Sequence, residues 1–225
     1  MDGMVRMTLG VATTLALTAS TAGAQLTNMP VYANPAVSAV RIQGDYAFGV
    51  NQGSGENSAF AARGNLVVSK LILGAGVGVV KLTDTEPMYM GSLGYRLLGG
   101  GAMPLAVALQ AGVGVVETDN LQKTVDVPVS LGVALHLPLV LVTIDPWIAP
   151  RYTLQFNSVA GTTGSRNHLG LSAGIDARLA MGLGFQLGFD WQRLPDFSLD
   201  AGIAGIVSDA KREPFLMSLG IHFGL

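Results

Sequence analysis

The chain has 225 residues, 49% of them hydrophobic and 12% charged, with a formal net charge of −2, 30 glycines and no cysteine. The charged share lies well below the usual value of about 25%, and a mean hydropathy of +0.45 with a pI of about 5.8 gives no reason to expect nucleic-acid binding. Structural disulfides and thiolate metal sites are excluded, and a cysteine-free chain of one-domain length suits passage through an oxidising compartment.

Arg6 supplies a short positive start, "LGVATTLALTAS" (9–20) an apolar run, and Ala22-Gly23-Ala24 a small-x-small cleavage site before Gln25. Together they predict a secretory signal peptide over 1–24. The apolar run is too short for a membrane anchor. Asp2 weakens the positive region, which leaves Met4 and Met7 as alternative starts. Residues 25–36, "QLTNMPVYANPA", with two prolines, read as an N-terminal linker.

From residue 37 onward a period of two governs the chain. In 71–80 the row Leu71, Leu73, Ala75, Val77, Val79 alternates with Ile72, Gly74, Gly76, Gly78, Val80. In 125–137 an apolar row from Val125 to Leu137 alternates with Asp126, Pro128, Ser130, Gly132, Ala134 and His136. The segment "MGLGFQLGFDW" (181–191) sets Leu183, Phe185, Leu187, Phe189 and Trp191 against Gly, Gln and Asp. This alternation predicts ten strands: 37–50, 59–69, 71–82, 88–98, 104–117, 125–137, 142–156, 167–179, 182–193 and 214–224. Two stretches without Asp, Glu, Lys or Arg, Leu97–Val116 and Val127–Ile144, approach the length of a spanning helix, about 20 residues. Both are cut by turn residues ("GGGAMP"; Pro128, Pro138) and lack a helical period, which argues against a helical membrane protein.

The connections alternate between short turns and longer polar loops at 51–58, 83–87, 118–124, 157–166 and 194–213. An even strand number with short turns at one end and long loops at the other describes an outer-membrane barrel. A soluble sandwich would need polar residues on the outer rows, and these rows have almost none. The expected fold is all-β: an up-and-down antiparallel transmembrane β-barrel over 37–225, of about ten strands, with eight or twelve also compatible. It closes because an open edge would strand unpaired N–H and C=O groups in hydrocarbon, at several kcal/mol each.

In pattern the chain resembles the small bacterial outer-membrane barrels grouped with the opacity proteins and the OmpA- and OmpX-type transmembrane domains. Its most specific piece is the last strand, where Phe215, Met217, Leu219, Ile221, Phe223 and Leu225 alternate to the C-terminus. That resembles the terminal signal read by the barrel-assembly machinery, although the family usually ends in Phe or Trp and this chain ends in Leu225. The resemblance implies a Gram-negative outer membrane, reached by export through the periplasm, with both termini on the periplasmic side.

Strand parity turns Arg41, Arg63, Arg96, Arg151 and Arg178 inward together with Asp45, Asp126, Asp145, Asp176 and Asp190. Hairpin geometry sets Asp45 near Arg63 and Asp145 near Arg178. These groups make either a charged pore constriction or a paired polar core that plugs the barrel; balanced charge favours the core, because a paired buried charge tolerates low dielectric. Inward glycines leave room beside large side chains such as Trp147.

Outer-membrane lipid hydrolases place Ser, His and an acid or amide on the lipid-facing surface, whereas His136, His168 and His222 all fall on inward rows. His168 and Ser172 lie about 13 Å apart along a strand, too far for a nucleophile–base pair. A rim cluster of His168, Asp190 and Asp126 is the remaining enzymatic reading. No phosphate loop and no metal-ligand spacing occurs, so no catalytic residue, metal or cofactor is expected and the chain reads as a non-enzyme. The loop charges, among them Glu56, Asp84, Glu86, Glu117, Lys123 and Arg166, suit contact with lipopolysaccharide or simple solvation. The apolar centre of "FSLDAGIAGIVSDAK" (197–211) suits an inward plug, a rim helix or a further hairpin. The expected role is a monomeric structural or surface-interaction barrel, with membrane lipid, lipopolysaccharide and the assembly machinery as partners. A narrow pore or a transporter for small or apolar solutes is the alternative, and a rim hydrolase the third.

Overall fold

The alternation in the sequence becomes a wall with two chemically different faces. The computed structural model describes residues 34–36, 39–50, 58–81, 85–99, 103–118, 122–159, 162–193 and 215–224. The expected signal segment, most of the linker, the 197–211 stretch and Leu225 lie outside the described residues. The strands are β1 Val40–Gly49, β2 Ser58–Val68, β3 Leu71–Lys81, β4 Thr85–Leu98, β5 Leu105–Thr118, β6 Gln122–Leu135, β7 Leu137–Pro138, β8 Val142–Val159, β9 Thr162–Leu179, β10 Leu183–Arg193 and β11 Phe215–Gly224. β6 and β7 both pair with β8 and are parted only by His136, so they form one stave of a ten-stave sheet.

Chain neighbours pair antiparallel around the whole circuit, and the register from Arg41↔Gly224 to Gly49↔Leu216 joins β1 to β11. The sheet is therefore a closed up-and-down barrel, as expected. On the outer face, side chains such as Ile42, Phe60, Leu109, Leu131, Leu169, Phe185 and Ile221 are exposed, while their chain neighbours are buried or half-buried inside. Lipid solvates such a face without cost, and in water it would be an aggregation surface.

Several strand bounds differ from expectation. β4 begins at Thr85, and β5 and β6 run to Thr118 and Gln122. β8 and β9 lengthen to 18 residues each, because their ladder continues through Ser158↔Thr163 and Val159↔Thr162. Thr and Val at these positions favour extended backbone. Charges assigned to loops consequently stand on strands. Glu86 points inward from β4 and is buried, and Glu117 faces Lys123 across the β5–β6 ladder at 2.7 Å.

Three short turns at the other end use left-handed backbone, at Ser69 (φ 58°), Gly99 (φ 92°) and Gly182 (φ 91°). At Gly99 a Cβ would also lie 2.6 Å from the Cα of Ala106, so glycine is required there by conformation and by space.

Candidate functional site

The inward rows make the candidate site. All ten arginines and aspartates assigned to the interior stand on inward positions: Arg41, Asp45, Arg63, Asp126, Asp145, Arg151, Asp176 and Asp190 are buried, and Arg96 and Arg178 half-buried nearer the short-turn end. Arg63 Nε lies 2.8 Å from Asp45 Oδ2, the neighbour relation expected from the first hairpin. Asp145 sits opposite Asp176 in the β8–β9 register, with Arg178 opposite Thr143, two residues along. Arg178 is within electrostatic reach of Asp145, whose Oδ1 also lies 2.8 Å from His136 Nδ1.

The side chains join into networks that cross strands. Gln43 Nε2 donates to Asp45 and, at 3.0 Å, to Gln186 Oε1. The same Gln186 oxygen accepts from Arg41 Nη2 at 2.8 Å, and Arg41 Nη1 pairs with Asp176 Oδ2. Asp176 Oδ1 lies 2.9 Å from His222 Nε2. One polar chain thus runs Arg63–Asp45–Gln43–Gln186–Arg41–Asp176–His222 through β2, β1, β10, β9 and β11. Arg41 and Asp176 stand three staves apart around the wall, so their contact cuts across the interior rather than following the sheet.

A second cluster lies closer to the long-loop end. Arg151 Nη2 donates to Asp190 Oδ2 at 2.7 Å while Nη1 pairs with Oδ1, a two-pronged guanidinium–carboxylate contact. Ser172 Oγ accepts from Arg151 Nη1 at 2.7 Å and donates to Asp190 Oδ1 at 2.6 Å. The serine hydroxyl is therefore committed to this pair, and neither of its bonds reaches a histidine.

Glycine opposite large side chains makes the room. A Cβ on Gly174 would lie 2.7 Å from the Trp147 ring, and one on Gly170 2.7 Å from Arg151 Nε. The interior is not polar throughout. On the β1–β5 side of the long-loop half, Ala47, Ala59, Ala61, Val80, Met88 and Val116 form an apolar cluster.

The short-turn end is filled by the chain itself. Asn34 and Pro35 are buried, and Arg96 Nε donates to the Pro35 carbonyl at 3.2 Å. Asn34 Oδ1 accepts from the Ala36 N–H at 3.0 Å, and Ala36 packs on a cluster of Ala106, Ala134, Trp147 and Ala149. Gly132 is the notch for this segment, since a Cβ there would lie 2.9 Å from Pro35 Cγ. The stretch read as a linker thus gives its last three described residues to the interior.

Sequence reasoning left Gln43, Gln186 and Glu86 out of the site. The first two sit on the same inward parity as Arg41 and Asp190, so parity extended to neutral amides would have found them. Glu86 was hidden by placing the start of β4 three residues late.

No family model matches the chain, and no curated protein matches it. Among solved structures it is similar to the N-terminal β-barrel domain of Pseudomonas aeruginosa OprF, at 13% identity and TM-score 0.38, over 84% of this chain and 98% of that one. It is similar to Neisserial surface protein A at 14% identity and TM-score 0.38, over 84% and 98%. The outer membrane enzyme PagL aligns at 12% identity and TM-score 0.36, over 81% and 99%. At these values the likenesses bear no weight on chemistry, and the barrel rests on its own strand register.

Proposed function

We propose that this chain is an outer-membrane barrel with a closed interior, whose role is structural or surface-interacting through its long-loop end. The observation that carries this reading is the chain from Arg63 to His222, in which each charge inside has an opposite charge or an amide against it. A conduction path needs water beside its charges, and these side chains are at most 7% exposed. The packed segment Asn34–Ala36 supports the same reading at the short-turn end. The apolar outer row supports a membrane location, and the predicted signal peptide supports export to it.

A narrow pore is the second reading. It is favoured by Ser130 Oγ, Thr153 Oγ1 and the Gln192 amide, inward polar atoms with no protein hydrogen bond, which water in the interior would satisfy. Single-channel recording of the refolded chain in a planar bilayer decides between the two, with heat-modifiable gel mobility to confirm folding. The closed barrel is silent. Uniform conductance steps that change on Arg151→Ala overturn it in favour of the pore.

A further inference from the structure

The outer wall is not evenly padded. One row of outward residues runs straight across six staves through directly paired positions: Phe185, Ile221, Gly44, Ala62, Val77 and Tyr89. Its two central members are the smallest. A Cβ on Gly44 would meet nothing within 4 Å, so the space above it is open. Phe60 and Tyr46 flank it as a ring pair with centroids 4.6 Å apart. The result is a groove of about 1020 Å³ in the middle of the β10–β11–β1–β2–β3–β4 wall. That volume stands at the top of the range of about 300–1,000 Å³ for small-molecule sites.

The geometry points to this groove as a seat for the acyl chain of a membrane lipid. It opens outward at mid-height on the apolar belt, where the surrounding medium is hydrocarbon. Asp45 and Gln186 border it but turn their side chains into the interior network. They give the groove only main chain, already bonded in the ladder, so apart from the hydroxyls of Tyr46 and Tyr89 its lining offers an occupant apolar contact alone. Between Ile221 and Val77 lie three strand spacings, about 14 Å at the usual 4.7–4.9 Å each. Less the two aliphatic side chains, that is a slot for hydrocarbon chains. A second barrel fits poorly: its wall is convex, and the Tyr46–Phe60 pair and Phe185 would hold it off the floor.

The test is native mass spectrometry of the full refolded chain released from phosphatidylglycerol bilayers with palmitoyl chains. Compared with it are Gly44→Phe, Ala62→Phe and, as a control on the far wall, Leu131→Phe, each with heat-modifiable mobility as proof of folding. Wild type and Leu131→Phe retain a lipid adduct, and both groove-filling variants lose it. Should Gly44→Phe fail to fold, Ala62→Leu fills the same slot from an existing side chain. Equal adducts in filled and wild-type barrels, or none in the wild type, overturn the proposal. A wild-type species of two chains without lipid overturns it too, and makes a second copy the occupant.

Discussion

Asp176 holds Arg41 on one carboxylate oxygen and has His222 against the other. Removing such a buried partner leaves an uncompensated charge and costs about 3–5 kcal/mol. Asp176→Ala is therefore expected to lose about that much in reversible urea unfolding from vesicles, while Arg41→Met with Asp176→Leu together lose much less than the sum of the single changes. Additive losses would show that the pair does not act as a unit. At Gly174 the constraint is steric, since its missing Cβ is the space of the Trp147 ring. Gly174→Ala should cost about 1–3 kcal/mol by overpacking, and only part of that should return when Trp147→Leu is added, as read from the same unfolding curves, because the added Cβ would also lie 2.6 Å from the Leu187 carbonyl oxygen of the neighbouring strand.

At the scale of the element, each strand owes its place to a row of side chains facing lipid and a row facing the interior. Leu219 is exposed on the outer row of β11 near the middle of the wall. Leu219→Arg should lower the unfolding free energy by about 2–4 kcal/mol, the cost of a cation at the bilayer midplane, and less nearer the ends, as at Phe215. The exposed pair Glu117–Lys123 works in the opposite regime. Glu117→Gln should change stability by less than about 1 kcal/mol, and a larger loss would mean that the pair is shielded from solvent. The strands were legible because this two-row chemistry has a period of two. Their ends were not. Where β8 and β9 continue through Ser158, Val159, Thr162 and Thr163, the residues are polar or β-branched on both faces, so no contrast between rows marks the limit of the ladder. Glu86 and Lys123 likewise moved from the expected loops 83–87 and 118–124 onto strands.

At the scale of the molecule, closing the sheet brings distant strands within side-chain reach. Arg41 and Asp176 are 135 residues apart in sequence and three staves apart in the wall, yet they touch. If the networks keep the interior shut, one substitution should leave the barrel silent in a planar bilayer. Loss of both, in Arg41→Ala with Arg151→Ala, should open measurable conductance in a barrel that still shows heat-modifiable mobility. Silence in the folded double variant would place the seal elsewhere, with Asn34–Ala36 and its notch at Gly132 the next segment to remove.

The sequence by itself determined the all-β class and which side chains face inward, because alternation is a local property of an extended chain and lipid rewards one face of it. The count of ten staves among eight, ten or twelve was decided by the register that closes the sheet. Tertiary structure decided which inward charges meet, that Gln43 and Gln186 bridge them, and that Asn34–Ala36 occupy the short-turn end. It also decided that Gly44 and Ala62, unremarkable in their own strands, line up into a groove. These depend on register and on chords across a closed barrel, and a residue's neighbours along the chain carry no information about what stands three staves away.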